Sequence, residues 1–499
     1  MKSRTLTFAI AIVLLAELAT PFLLVAQKTS YKLIDIGTLG GPSAHGPGNG
    51  QGSQLINNAG VVAGGADTSI PCTNPNNCPV GHAFRWQNGV LTDLGALSAQ
   101  VNDSAANAIN ARGWVTGFSQ TGELDPVLGF PVGHAVLWTD DQIMDLGTLS
   151  SGIQSSGNYI NNGGAVVGIS TIDTTSDPFA CIIGPFCSPT HAFIWKNGVM
   201  QDLGTLGGPD SLSFFGCNNQ RSDLVTGESY TNSTANAATG APTQHAFLWE
   251  NGRMTDIPTL GGTYAVAQCA NNQGQVIGQS NLIGDVNCVP GMPIGSCTQH
   301  PFLWDHGMLT DLGTLGGDFA GAAWINNAGE VVGGSFTTND DSFHATLWRQ
   351  GRITDLGTLP GDCGSSASAI NSKGQIVGQS FNCDTNTFRT VLWDMGSIID
   401  LNVISVDALD INDRGEITGF EAPPGCFDAN SCAVQAFLLI PCANGQGCEG
   451  KDSFIAQIES GPITTTLTQR REMTKAFVAR FRAGLARRYH PLGLGAPQH

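Results

Sequence analysis

The sequence predicts an all-β fold: an eight-bladed β-propeller of four-stranded antiparallel blades, closed by its N-terminal strand and followed by a basic C-terminal helix. Three observations predict it. One set of motifs recurs eight times in fixed order, the recurring segments are short, β-prone and separated by hairpin signals, and the repeat is circularly shifted.

A DLGTLGG-like segment begins at Asp35, Asp93, Asp145, Asp202, Asp256, Asp311, Asp355 and Asp400, with spacings from 44 residues (Asp311 to Asp355) to 58 (Asp35 to Asp93). An apolar residue and Asn, followed by a turn and a Gly-x-Val-x-Gly strand, recur at Asn57, Asn110, Asn161, Asn218, Asn271, Asn326, Asn371 and Asn412. A third segment, like HAFLW, ends at Trp86, Trp138, Trp195, Trp249, Trp304, Trp348 and Trp393, with AFLLI at 436–440 as a degenerate copy. Each unit therefore holds four short strands. Turns such as Asn57-Asn58-Ala59-Gly60 join the first pair, and Asn88-Gly89, Asn197-Gly198 and Asn251-Gly252 are two-residue hairpin signals for the second.

A four-stranded unit with apolar residues on both faces cannot bury itself alone, so the units must stack. Radial stacking is the propeller solution, and the period lies in the range of propeller blades. The circular shift supports closure: residues 31–36 read as a fourth strand with no first three before it, while 410–440 hold three strands and lack the fourth. If 31–36 complete the last blade, no sheet edge is left at the seam. The expected units are about 35–92, 93–144, 145–201, 202–255, 256–310, 311–354, 355–399 and 400–440, within a propeller over 31–450.

Composition agrees. Only 12% of residues are charged, and 65 are Gly. Of the net charge of −18, residues 451–499 contribute eight Lys and Arg against three Asp and Glu, so the tail is +5 and the rest −23. An acidic body without a basic stripe argues against nucleic-acid binding. In the tail, Met473, Phe477, Phe481 and Leu485 recur every four residues among Arg and Lys, which reads as one basic helix able to touch an anionic surface weakly or to dock on its own acidic body.

Residues 1–26 read as a secretory signal, with Lys2 and Arg4 before an apolar run that Glu17 and Pro21 interrupt. Export suits the 14 cysteines, for which local disulfides are the default. The expected pairs are Cys72 with Cys78, Cys181 with Cys187, Cys288 with Cys297, Cys363 with Cys383, Cys426 with Cys432 and Cys442 with Cys448; Cys217 and Cys269 are a further candidate pair, joining adjacent units. No CxxC and no His at ligand spacing stand near them, so no metal and no cofactor are expected.

The HAF tripeptides at His82, His191 and His245, with DLGTLGG and the Asn-turn-Gly-Val-Val-Gly strand, resemble the bacterial HAF-repeat family of extracellular proteins over about residues 31–440. The resemblance implies an exported, repetitive, propeller-like protein with no established catalytic role, and it carries over no active-site residues. The variants at His300, His344, Arg389 and Gln435 depart from the tripeptide.

Six histidines share one repeat position: His82, His134, His191, His245, His300 and His344. Equivalent positions of neighbouring blades are too far apart to ligate one metal, so a structural hydrogen-bonding role is expected. The repeated Asp of DLG reads as a turn-tying residue. Residues that break the repeat are better functional candidates. Three positions before the Asn stand Gln54, Asn107, Asn158, Gln268 and Ser368, and one later stand Tyr159 and Trp324. An aromatic among amides at a channel mouth suits a sugar or small polar ligand, with irregular core filling as the alternative. The variable loops at 66–80, 119–132, 170–189, 229–243, 280–298 and 421–433 all join second to third strands and emerge on one face.

No nucleophile elbow, phosphate-binding loop, HExxH or calcium loop is present. The reading favoured is a monomeric, secreted, non-catalytic binding or scaffold protein that meets an extracellular protein or glycan through its long-loop face. The alternative is a secreted propeller hydrolase or lyase acting on polysaccharide or another polymer, and a purely structural surface-layer role is a third.

Overall fold

The computed structural model describes residues 30–45, 54–71, 79–98, 102–126, 129, 131–140, 142–177, 179–180, 187–213, 223–237, 239–284, 298–385, 387–423, 432–442 and 453–455. The chain is all-β, built from four-stranded antiparallel sheets that follow the sequence repeat. The first module pairs Gly40–His45, Val62–Thr68, Gly81–Gln87 and Val90–Gly95; the second, Ser104–Ile109, Val115–Leu124, Pro131–Trp138 and Ile143–Gly147. The third has Ser155–Ile160, Val166–Thr171, Thr190–Lys196 and Val199–Asp202, and the fourth Ser211–Leu212, Val225–Tyr230, Gln244–Glu250 and Arg253–Ile257. Gly261–Ala270, Val276–Leu282, Gln299–Asp305 and Met308–Asp311 form the fifth, and Gly316–Ile325, Val331–Thr337, Phe343–Arg349 and Arg352–Asp355 the sixth. Single parallel pairs, Gln244 with Tyr264 and Gln299 with Phe319, link the fourth, fifth and sixth modules into one hydrogen-bonded network.

In the seventh module Gly364–Ile370, Ile376–Asn382 and Thr387–Asp394 are joined by the 15-residue strand Ser397–Ile411, whose second half is the first strand of the eighth. The eighth continues through Ile417–Glu421 and Gln435–Pro441, and its fourth strand is Ser30–Gly37, with Leu33 opposite Leu439. Outside it lies a fifth strand, Ser453–Ile455, paired with Ser30, Tyr31 and Lys32. The sequence signalled no strand there, because three residues carry no readable alternation.

One local device explains the repeated glycine of the second strand. In five modules the first strand carries a bulge, as between Gly157 and Tyr159 or between Ala267 and Cys269. The bulge drives a first-strand carbonyl against the second strand: a Cβ on Gly117, Gly168 or Gly278 would stand 1.9 Å from the carbonyl oxygen of Ala105, Ser156 or Val266. Only Gly fits under that carbonyl. The hairpin signals also act as read: Asn88 and Gly89 have φ of 50° and 84°, the left-handed pair a tight two-residue hairpin requires.

The cores lie between modules rather than within them. Ala108, Ala135 and Leu137 of the second module share a cluster with Ile160, Val166, Phe193 and Trp195 of the third. The last and first modules do the same, Phe420, Ala436 and Leu438 packing with Leu55, Val62, Phe84 and Trp86. Burial of these side chains on both faces is the main stabilisation, at about 1.5–3 kcal/mol for each large one.

A belt of asparagines joins the modules at the short-turn end. In each turn the Asn carbonyl oxygen accepts two backbone N–H bonds, as Asn371 Oδ1 does from Lys373 and Gln375, both at 3.0 Å. Its amide then donates to the Asn carbonyl of the next module: Asn57 to Asn110, Asn110 to Asn161, Asn271 to Asn326, Asn326 to Asn371 and Asn371 to Asn412. Asn412 in turn donates to the carbonyl of Asn57 at 3.0 Å. Asn218 lies outside the described residues, and Asn161 donates to Asp223.

Candidate functional site

Of the residues expected near a channel mouth, all but Gln54 stand in the first strand of their module, and four of them sit at bulges. Asn107, Asn158, Gln268 and Ser368 are the extra residues of their bulges, re-aimed out of the ladder. Asn107 donates to the carbonyl of Gly157 at 3.0 Å and Asn158 to that of Ser213 at 2.8 Å, so each reaches the next module. Gln54 is half-buried and donates to the carbonyl of Ile56. Tyr159 and Trp324 are 3% and 5% exposed, inside clusters of apolar side chains. Tyr159 and Trp324 thus pack in clusters shared between modules, and the bulges set the direction of the amides.

The repeated His and Asp form one pair per module. His82 Nδ1 stands 2.9 Å from Asp93, His134 from Asp145, His191 from Asp202 and His300 from Asp311 at the same distance, with His245–Asp256 and His344–Asp355 at 2.7 and 2.8 Å. An ionised carboxylate only accepts, so Nδ1 carries the hydrogen. Five of these Asp also accept the N–H of the Gly two residues on, as Gly95 N to Asp93 at 2.7 Å, while Asp256 is followed there by Pro258. Partial burial works against the charge of Asp93, Asp145, Asp202, Asp311 and Asp355 more than any other single effect, yet the His and backbone bonds together hold all five below the ordinary Asp value. In the seventh module Arg389 replaces the His and sits between Asp400 and Asp362, at 3.0 and 2.8 Å.

The strongest departure from the repeat is a face of the fourth module turned toward the third. Tyr230 lies opposite Gln244, and Glu228 shares the face two residues away. Asp210 joins them, its carbonyl accepting from Tyr230 N and its Oδ1 from Thr190 N of the third module. Gln244 donates to Glu228 Oε2 at 2.6 Å, and the Tyr230 hydroxyl donates to the carbonyl of Phe179. Burial pushes Glu228 up to about 8 against the Gln244 bond. It likewise lifts Asp210 to about 7, against the Thr190 N–H and with Asp177 adding repulsion. Burial first, then the charges of Asp210, Glu228 and Asp177, raises Tyr230 as well. Two acids raised by burial on one face are the nearest approach to acid-base machinery in the described residues. Sequence reasoning passed over them, although Glu228 was legible as an exception: the same position is Ile169, Gln279 or Phe420 elsewhere.

A second buried acid stands where the last module meets the first. Asp410 Oδ2 accepts from Leu55 N and Ile56 N at 2.9 and 3.2 Å, and burial raises it to about 6 against those bonds and that of Ile411. It too breaks a pattern, since its counterparts include Leu55, Ala108 and Ala369.

The disulfide of Cys363 and Cys383 is formed, with Cα atoms 5.9 Å apart, and ties the residue before the first strand of the seventh module to the start of its second-to-third-strand loop. Cys187, Cys269, Cys432 and Cys442 are also disulfide-bonded. Cys72, Cys78, Cys181, Cys217, Cys288, Cys297, Cys426 and Cys448 lie outside the described residues, as does the expected basic helix. Among the described residues no group of His, Cys, Asp or Glu is arranged to hold a metal ion, and no helix is long and apolar enough to cross a membrane.

Fold and site together define an all-β protein of repeated four-stranded modules. No protein-family profile matches the chain, and no curated protein matches it in sequence, so the HAF-repeat resemblance rests on the motifs. Similar solved structures include the β-propeller domain of the Trilobed protease from Pyrococcus furiosus, at 10% identity over 70% of this chain and 98% of that one, TM-score 0.40. The Pyrococcus horikoshii acylaminoacyl peptidase is 10% identical over 75% of this chain and 58% of its own, TM-score 0.39. The Dos1 propeller is 11% identical over 82% and 95%, TM-score 0.39. Likeness this loose carries no argument about activity.

Proposed function

We propose that the chain is an exported, closed eight-bladed β-propeller of the HAF-repeat kind, acting as a non-catalytic scaffold that meets an extracellular protein or glycan through its long-loop end. What supports closure is the repetition at the last-to-first junction of the contacts made elsewhere: strand pairing, a shared core and an Asn bond. Disulfide-bonded cysteines support export. The observation that carries the non-catalytic reading is the fate of the repeated titratable groups. His and Asp are consumed in module-by-module pairs, and the described candidates on the innermost strands are amides, hydroxyls and aromatics rather than acids and bases.

The second reading, a secreted hydrolase or lyase, is favoured by Asp210 and Glu228, since a carboxylic acid kept neutral near pH 7 is what a general acid needs. A polymer array on the mature protein, read for both retention and release of reducing ends, separates the two. Retention without turnover supports the scaffold; turnover abolished by Glu228→Gln establishes the enzyme.

A further inference from the structure

The four strands of a module alternate in direction, so the second-to-third loops and the connections after each fourth strand emerge at one end, and the tight turns at the other. Charge is divided between these ends very unevenly. Among the described residues every Lys and Arg except Arg389 lies at the short-turn end: Lys32 near the start of Ser30–Gly37, and the others in or beside the tight turns, as Arg112, Lys196, Arg253, Arg352, Lys373 and Arg414 do. There they meet acids: Arg85 pairs with Asp140, Lys196 with Asp223, Arg349 with Glu330 and Arg414 with Glu416.

The long-loop end has no such balance. An exposed Asp closes the fourth strand of seven modules, at Asp35, Asp93, Asp145, Asp202, Asp256, Asp311 and Asp355, and Glu123, Asp318, Asp341, Asp384 and Glu421 are exposed beside them. Arg389, the one guanidinium there among the described residues, is already held between Asp362 and Asp400. Beneath the same end two buried oxygens, Asp210 Oδ2 and Gln244 Oε1, have no hydrogen-bond partner among the described residues. A surface with this many carboxylates and, among the described residues, no Lys and a single engaged Arg creates a potential that draws a polycation.

The chain supplies one. Residues 470–488 contain Arg470, Arg471, Lys475, Arg480, Arg482, Arg487 and Arg488 against the single acid Glu472. Ser453–Ile455 is paired to the outer edge of the eighth module, which fixes the point from which this run departs. The intervening residues 456–469 reach about 50 Å when extended, and a strand of about seven residues spans only about 23 Å. The run can therefore cross from the outer edge to the long-loop end.

We propose that the basic segment 470–488 docks on the long-loop end of its own chain as a tethered, salt-sensitive cover. The inference stands on the charge division and the tether, and not on the reading of that end as a partner-binding surface. Tethering keeps the segment at high effective concentration, so an external cationic partner competes with it rather than finding the surface bare.

Zero-length carbodiimide coupling on the full-length protein tests this. It condenses an amine with a carboxylate, releasing water, and Lys475 is the only amine between 456 and 499 apart from any chain terminus. A charge-conserving variant, R471K with R480K and R488K, adds reporters. At about 20 mM salt, tail crosslinks should end on the long-loop acids, within one molecule, and their yield should fall at least about tenfold at about 0.5 M salt. Charge reversal by R470E, R471E, R480E and R487E should abolish them while leaving the thermal midpoint unchanged. Crosslinks to Asp305 or Asp394 at the short-turn end, crosslinks only between molecules, a salt-insensitive yield, or none at low salt would each overturn the proposal, as would transfer of the tail to anionic vesicles without crosslinks. A partner held equally by wild type and the charge-reversal variant would leave the scaffold reading standing while this inference fails.

Discussion

Asp410→Asn probes the junction between the last and first modules through a carboxyl that is buried only if that junction forms. In the folded chain burial lifts Asp410 from 3.8 to about 6. A raised value means the group contributes fully below about pH 4 and loses its contribution as the pH rises through about 6. The shift of about two units corresponds to about 3 kcal/mol lost by pH 8. The amide carries no charge and keeps one oxygen for the Leu55 and Ile56 N–H groups, at the expense of the Ile411 bond, worth about 1 kcal/mol. Asp410→Asn should therefore be slightly less stable than wild type at pH 4 and about 2 kcal/mol more stable at pH 8. Urea unfolding followed by tryptophan fluorescence at pH 4, 6 and 8 measures this, with seven repeat tryptophans buried near the inter-module cores. A stability difference that does not change with pH would mean a solvated carboxyl at that position, and the reasoning would fail.

Three further outcomes follow from the same geometry. The five Asp held low by His contribute stability above about pH 4 that is lost as the pH falls through their depressed values, so acid unfolding should set in below pH 4, and His134→Gln should move the acid midpoint upward. Gly278→Ala places a Cβ 1.9 Å from the carbonyl of Val266 and should cost more than about 3 kcal/mol in urea unfolding, whereas Gly89→Ala, with open space around it, should cost about 1 kcal/mol through its positive φ alone. Replacing Cys363 and Cys383 together by Ser opens a loop with a separation of 20 residues and should lower stability by about 3 kcal/mol, read as a drop in urea midpoint relative to oxidised wild type that shrinks when wild type is reduced.

Most of the architecture was legible because the repeat forces the same solution at each module. Asn57 and its counterparts, the HAF phenylalanines and the hairpin glycines occupy positions with one physical purpose, so eight copies average out local ambiguity. The amides of the first strands were legible as a pattern. That Asn107 and Asn158 are the extra residues of bulges was not, because a bulge depends on strand register and leaves no mark in composition. Asp410 and Glu228 were visible as exceptions, but their burial depends on which modules adjoin, which one unit's sequence does not reveal. The strand Ser453–Ile455 was illegible for a different reason: it is defined by the open edge of Ser30–Lys32 rather than by its own residues. The division of charge between the two ends is written in the sequence, yet it emerges only when each Lys and Arg is placed on a strand of known direction.

Amide hydrogen exchange on residues 32–36 tests the central claim most directly, since these amides are paired to residues 436–440 and to nothing nearby in sequence. A ring joined at this strand predicts slow exchange, comparable to that of residues 253–257 in the fourth strand of the fourth module, and simultaneous loss of protection at 32–36 and 436–440 on unfolding. Exchange of residues 32–36 at the rate of an unstructured chain, while the other modules stay protected, would contradict it.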